Sequence, residues 1–161
     1  MTSQGIQGMQ GTESSLVNID VIKEGFSGSA SHRAGNRGSK SILFIDDNFL
    51  VLETIKRLLL KTACALVTTD DPFDGLGKIA RHKPHTVFID ANMQCLSGLQ
   101  FCALVKASAA YKHTPVILVF EQADKLLTAK AIATGADSVL VKPFGKNELL
   151  NASLGNATAA A

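Results

Sequence analysis

From Ser41 onward the sequence alternates short, continuous apolar runs with longer stretches in which apolar residues recur at helical spacing. A continuous apolar run is typical of a strand buried on both faces, whereas a strand with one solvated face alternates apolar and polar residues. Strands that alternate with helices in this way predict a parallel sheet with helices on both faces. The predicted strands are 41–45, 64–69, 86–90, 115–120 and 138–141, and the predicted helices are 49–61, a segment that starts at Pro72, 99–107, about 123–134, and 147–154.

Local signals refine the second of these helices. Asp71 is a typical N-cap residue, and Pro72 suits the first helical position. Phe73, Leu76 and Ala80 share one face of this helix, which is therefore its predicted apolar face.

Two further local features concern the first and fourth helices. Glu53 lies four residues before Arg57, a spacing at which oppositely charged side chains on a helix pair. Gly135 suits the position just after the end of the fourth helix, where the left-handed backbone conformation favours glycine.

Residues 1–39 have a different composition, with glycine and serine interleaved and few large apolar residues. Such a segment cannot bury enough apolar area to offset the entropy lost on ordering. We therefore expect 1–39 to be a flexible extension, 40–154 to be one folded domain and 155–161 to be a short, alanine-rich tail.

The charge balance excludes several classes of partner. The net charge is only +2, and basic residues alternate with acidic ones, which argues against nucleic acid or an anionic membrane as a partner.

The sequence shows no targeting or membrane-spanning signal. The N-terminus lacks a basic segment followed by an apolar one, and no apolar run approaches the roughly 18–20 residues of a membrane helix. We expect a cytoplasmic protein.

Four polar residues follow or end predicted strands. Asp46 and Asp47 come directly after the first strand, Asp90 ends the third, and Lys142 follows the fifth. Taken singly, each has a commoner structural explanation, since a pair of aspartates after a strand usually caps the next helix. In a parallel sheet, however, functional residues gather at the carboxyl ends of the strands. The four side chains are therefore expected to converge at one edge of the sheet.

This convergence predicts a particular chemistry. Neighbouring carboxylates about 4 Å apart repel each other by several kcal/mol, so a fold that keeps them together needs a compensating cation. Ligation by a few protein oxygens is what Mg²⁺ prefers. Together with the ammonium of Lys142, the carboxylates indicate a phosphoryl-transfer site with a carboxylate nucleophile.

At this point the sequence resembles a known family. Its motifs are Ile45-Asp46-Asp47, then Ile89-Asp90 followed by Met93, Leu96 and Gly98, then Val141-Lys142-Pro143-Phe144. In combination, over about residues 40–152, they resemble the signature of response-regulator receiver domains of two-component signalling. The resemblance implies a flavodoxin-like, doubly wound α/β fold with strand order 2-1-3-4-5. It also implies a cis peptide bond before the proline of the last motif.

The resemblance assigns a role to each matching position. Asp90 would be the phosphoacceptor. Asp47 would bind Mg²⁺ directly, Asp46 would act mostly through water, and the backbone carbonyl of Asn92 would be a further ligand. Lys142 would contact the phosphoryl group.

The sequence departs from the family pattern at the positions that respond to phosphorylation. A Thr or Ser usually ends the fourth strand and moves toward the phosphoryl group, but here the residue is Phe120. A small residue usually follows, but here it is Glu121. An aromatic residue in the fifth strand usually turns inward, but here it is Val139. Gln94 also replaces a proline that usually follows Met93.

Three hypotheses follow. The first is a phosphoacceptor receiver that takes its phosphoryl group from a sensor histidine kinase or phosphotransfer protein. No second folded domain is expected after residue 154, so a downstream protein target is expected to receive the signal. The second is a pseudo-receiver, a protein-binding module insensitive to phosphorylation. The third, an enzyme on the same scaffold, is disfavoured because a glycine-rich nucleotide-binding turn is missing after the first strand.

A narrower resemblance concerns stand-alone receivers that govern type IV pili and twitching motility. It rests on the segments DPFDGLGKIA (71–80), FCALVKASAAYKHTPVI (101–117) and GADSVLVKPFGKNELL (135–150).

Overall fold

The computed structural model describes residues 40–122 and 124–155. The extension expected at 1–39 lies outside the described residues, as do Ala123 and residues 156–161 of the expected tail.

Five strands and five helices alternate along the described chain, as the apolar runs predict. All four pairs of neighbouring strands are parallel, and their order in the sheet is β2-β1-β3-β4-β5. The elements are β1 (Ser41–Ile45), α1 (Phe49–Leu59), β2 (Ala65–Thr69), α2 (Pro72–His82), β3 (Thr86–Asp90), α3 (Gly98–Ala107), β4 (Val116–Phe120), α4 (Lys125–Ala133), β5 (Ser138–Val141) and α5 (Lys146–Ser153).

Element ends differ from the predicted ones by two residues or fewer, and capping explains the clearest cases. The Asp124 side chain accepts a hydrogen bond from the N–H of Leu126, so α4 begins directly after Asp124. At the end of α1, the N–H of Leu60 bonds to the carbonyl of Arg57, one residue closer than in a regular α-helix. Gly135 follows α4 with a φ of +86°, as predicted.

The sheet separates two apolar layers, because successive side chains of a strand point to opposite faces. One layer contains Leu43, Ile45, Val87, Ile89 and residues of α2, α3 and α4. The other contains Ile42, Phe44, Phe88 and residues of α1 and α5. Both faces of β1, β3 and β4 are therefore covered, which accounts for their continuous apolar sequences. Among the described residues, none of the helices is long and apolar enough to cross a membrane.

The predicted apolar face of α2 is confirmed for Leu76, which packs against the core, but is wrong for Phe73 and Ala80. Phe73 and Ala80 are exposed, whereas Gly75 and Ile79 are buried against the sheet. A Cβ atom on Gly75 would lie 2.6 Å from Cδ1 of Ile45. The helix therefore approaches β1 through a residue without a side chain, which a search for large apolar residues cannot detect.

The predicted pairing of Glu53 with Arg57 is also corrected. The Glu53 carboxylate bonds at 2.8 Å to Nζ of Lys56, three residues along the helix. Both spacings place side chains side by side on a helix, so the sequence alone does not choose between the two cations.

A buried lysine ties α2 to β2. Nζ of Lys78 donates to the carbonyl of Thr68 at 3.0 Å and lies 2.7 Å from Oδ2 of Asp74. The same Asp74 oxygen accepts a hydrogen bond from the hydroxyl of Thr69. Burial acts to raise the pKa of Asp74, but the bonds from Lys78 and Thr69 outweigh it and hold this pKa below its usual range.

We predict that Asp74→Asn lowers the free energy of unfolding at pH 7, because it leaves the buried Lys78 ammonium without its counter-charge. We expect a loss of about 1–2 kcal/mol, less than for a fully buried pair because Asp74 is partly solvated. A depressed carboxyl pKa stabilises the fold above its unfolded value, near 3.9, and this contribution is lost as pH falls through the folded value. The difference from wild type should therefore shrink below about pH 4.

Urea unfolding at several pH values measures this difference. Glu53→Gln, which removes the half-exposed ion pair with Lys56, is the matched control and should cost less than about 0.5 kcal/mol. A deficit in Asp74→Asn that is no larger than the control's, or that persists unchanged at low pH, contradicts the assignment.

Candidate functional site

The sheet topology brings the predicted site residues together. Asp46 follows β1 and Asp90 ends the neighbouring β3, so their carboxylates start from adjacent strand ends. Lys142 follows β5, which is separated from β3 by β4. Its four-carbon side chain spans this gap, and the backbone N–H of Lys142 is held by the carbonyl of Phe120 at 2.8 Å. The Lys142–Pro143 peptide bond is cis, as the resemblance implies.

Both buried aspartates are oriented by the backbone that follows them. Oδ1 of Asp46 accepts a hydrogen bond from the N–H of Asn48 at 2.9 Å. Oδ1 of Asp90 accepts one from the N–H of Asn92 at 2.7 Å. In each case one carboxylate oxygen is fixed by a local turn, and the other oxygen is left for the centre of the site.

The ammonium of Lys142 lies at the centre of this cluster. Its Nζ is 2.7 Å from Oδ2 of Asp90, 2.9 Å from Oδ2 of Asp46 and 3.0 Å from Oε1 of Glu121. Burial alone would lower the pKa of Lys142, but the neighbouring carboxylates of Asp90, Asp46 and Glu121 outweigh it and raise that pKa well above its usual value. Lys142 therefore carries a fixed positive charge.

For the Asp46 carboxyl, burial is the stronger influence on the pKa. Its side chain is fully buried, and burial raises its pKa despite the opposing effects of Lys142 and the Asn48 N–H. Its Oδ2 receives no hydrogen bond from the described residues, although Nζ of Lys142 is 2.9 Å away. The contact between Asp46 Oδ2 and Lys142 is therefore an ion pair without the geometry of a hydrogen bond.

Asp46, Asp47 and Asp90 fit a magnesium site. Each offers a carboxylate oxygen, and these oxygens all lie within 4.8 Å of one another. Asp47 is exposed at the mouth of the cluster, so the group is open to solvent on one side. A few carboxylates with room for water are the donor set that Mg²⁺ prefers. That the carbonyl of Asn92 is a further ligand stays a prediction.

Gly98 lets α3 begin directly against the backbone of Asp90. The N–H of Gly98 donates to the carbonyl of Ala91 at 3.1 Å. A Cβ atom at this position would collide with the Asp90 carbonyl oxygen and would lie 2.8 Å from Cα of Ala91. The glycine of the second motif therefore fixes the loop that carries Asp90.

Comparison with known proteins agrees with this geometry. Residues 42–153 match the profile of the response regulator receiver domain. The chain belongs to this family.

Individual relatives extend the comparison. Protein PilG of Pseudomonas aeruginosa is 41% identical over 111 residues, which cover 69% of this chain and 82% of PilG. Response regulator MprA of Mycobacterium leprae is 28% identical over 109 residues, 68% of this chain, but the match spans only 47% of MprA. The chemotaxis response regulator CheY4 of Vibrio cholerae superposes with a TM-score of 0.67 at 24% identity, covering 74% of this chain and 98% of CheY4, and shows the shared fold.

The departures of this receiver from the family pattern lie beside its aspartate cluster. Phe120 ends β4 with only 2% of its surface exposed and belongs to the apolar layer against which Val139 packs. Glu121 comes next, and its carboxylate reaches Lys142. The position that holds a hydroxyl in most receivers is thus part of the core, and the following position carries a charge into the site.

Sequence reasoning found the aspartates and Lys142 but missed the Glu121–Lys142 bond. In the sequence, Glu121 stands out only as a departure from the small residue that is usual at this position. The available signal was that Glu121 follows β4 and Lys142 follows β5, so neighbouring strands place the two residues at the same edge of the sheet, where the N–H of Lys142 bonds to the carbonyl of Phe120.

Proposed function

We propose that this receiver accepts a phosphoryl group on Asp90 and passes the signal to a downstream protein by direct contact. The observation that carries the proposal is the 2.7 Å bond between Lys142 and Asp90, within an aspartate cluster suited to Mg²⁺. In this arrangement a carboxylate oxygen lies next to the fixed cation that an incoming phosphoryl group needs.

The proposed donor is a phosphohistidine on a sensor histidine kinase or phosphotransfer protein. An Asp90 carboxylate oxygen forms a bond to phosphorus as the phosphorus–nitrogen bond breaks, and the electron pair stays on the imidazole nitrogen of the donor. Lys142 keeps its proton and binds a phosphoryl oxygen, and the turn at Asn92 holds Asp90 in position. A bound Mg²⁺ would reduce the repulsion between the negatively charged phosphoryl group and the carboxylates of Asp46, Asp47 and Asp90.

We further propose a role in the control of type IV pili and twitching motility, in the cytoplasm. The support is the 41% identity to PilG together with the similarity of segments 71–80, 101–117 and 135–150 to receivers of that kind.

We predict that Mg²⁺ and a small phosphodonor such as acetyl phosphate add one acid-stable, base-labile phosphoryl group to the wild-type protein. Asp90→Asn should gain none because it lacks the nucleophilic carboxylate, and EDTA should abolish the reaction. Asp71→Asn is the matched control, since Asn caps a helix as well as Asp and the site is untouched. Intact-mass spectrometry reads the result.

A wild-type protein that never gains the group, either from the small donor or from a cognate kinase, contradicts the proposal. An adduct that persists in Asp90→Asn places the nucleophile elsewhere.

The alternative function is that of a pseudo-receiver, and the burial of Phe120 favours it. The side chain of Phe120 has no hydrogen-bond donor and is packed in the core. The side chain of Val139 has no aromatic ring that could turn inward. A lost hydrogen bond to a charged acceptor removes about 1.5–3 kcal/mol of the preference for the activated state. Since a ligand shifts a conformational equilibrium only by its differential affinity, coupling would weaken roughly tenfold to a hundredfold.

We therefore predict that beryllofluoride, a mimic of the phosphoryl group, changes the face formed by α4, β5 and α5 only slightly. Amide chemical shifts measured with and without the mimic should move near Asp90 but little across 126–134 and 139–141. Phe120→Thr should increase the shifts in both ranges, because it restores a hydroxyl donor. Shifts in those ranges of the wild type as large as those near Asp90 contradict weakened coupling.

A further inference from the structure

Three carboxylates surround the Lys142 ammonium, and one of them has no part in the proposed reaction. Asp90 and Glu121 accept hydrogen bonds from Nζ at 2.7 and 3.0 Å, and Asp46 is ion-paired with it at 2.9 Å. Two of the three N–H donors of the ammonium are therefore held by Asp90 and Glu121, and a further side of the ammonium faces the ion-paired Asp46 carboxylate. A phosphoryl group that binds Lys142 must therefore compete with these carboxylates for the ammonium.

The three carboxylates differ in how easily they can leave. The Asp46 side chain is 0% exposed and is also held by the N–H of Asn48. Asp90, 8% exposed, is held by the N–H of Asn92 and is the proposed nucleophile. The Glu121 side chain is 62% exposed, follows the end of β4 and has more rotatable bonds than an aspartate. Leaving Lys142 therefore costs Glu121 the least.

We propose that Glu121 is an internal competitor of the phosphoryl group: its carboxylate occupies the Lys142 ammonium at rest and must swing away before a phosphoryl donor can react with Asp90. This inference rests on the proposed phosphoacceptor function and assigns to Glu121 the regulation of that same site.

The competition sets the rate at which free anionic donors react. A small donor must displace Glu121 unaided, and it must do so beside three further carboxylates, those of Asp46, Asp47 and Asp90. Glu121 thus slows phosphorylation by small metabolites. A protein donor that offers a cationic side chain to Glu121 would remove this obstacle.

The test compares the rates of adduct formation from acetyl phosphate with Mg²⁺ in three variants. Glu121→Gln removes the charge and keeps the shape. Glu121→Asp keeps the charge but is one methylene too short to hold Lys142. Glu53→Gln is the matched control, because it removes a glutamate–lysine pair of similar length on α1. Thermal unfolding verifies that all variants are folded.

We expect Glu121→Gln to react about threefold to tenfold faster than wild type, as the loss of a partly exposed ion pair allows. Glu121→Asp should be accelerated to a similar degree, because the contact with Lys142 rather than the nearby charge is the obstacle. Glu53→Gln should match wild type. A wild-type rate in Glu121→Gln overturns the inference and leaves the proposed function intact. A fast Glu121→Gln with a wild-type rate in Glu121→Asp also overturns it, in favour of simple charge repulsion.

A second measurement separates this inference from the proposed function. Orthophosphate is titrated with Mg²⁺ present, and binding is followed by the amide signals of Asn92 and Lys142. Competition predicts that Glu121→Gln binds orthophosphate about threefold to tenfold more tightly than wild type. If no variant ever forms an adduct, the proposed function fails, and equal orthophosphate affinities then overturn the competition as well.

Discussion

Repulsion between carboxylates at the carboxyl edge of the sheet is the constraint on which the rest of the site depends. Two unit charges about 4 Å apart interact by about 4 kcal/mol at the effective dielectric near a protein surface. Asp46 and Asp90 nevertheless lie buried together, because Lys142 reaches across β4 and places its ammonium between them. The turns at Asn48 and Asn92 and the close approach at Gly98 then hold the two aspartates in place.

Much of the fold follows from local sequence. Continuous apolar runs predict strands with both faces covered, and β1, β3 and β5 have the predicted bounds. The face of α2 was only partly predicted, because Gly75, which brings the helix onto Ile45, carries no apolar signal. The partner of Glu53 was mispredicted because Lys56 and Arg57 are both within reach on the helix surface. Packing and rotamer choice decide these points, and neither is encoded in a short sequence window.

The site was predictable to the extent that strand ends determine it. A parallel sheet places the ends of β1, β3 and β5 on one edge, so Asp46, Asp90 and Lys142 all start from that edge. The bond between Glu121 and Lys142 depends on where a long, exposed side chain points, and this is settled only by the neighbouring charges. The same residue that departs from the family pattern therefore enters the electrostatics of the site.

The central claim is that Lys142 offsets the repulsion of the buried carboxylates, and a double-mutant cycle tests it most directly. The free energy of unfolding is measured by urea denaturation in EDTA for wild type, Lys142→Met, Asp90→Asn and the double variant. Lys142→Met should destabilise the wild type by about 1–2 kcal/mol more than it destabilises Asp90→Asn, because the charge it balances is absent from the latter. Equal losses in the two backgrounds would show that Lys142 and Asp90 are not coupled and would contradict the account.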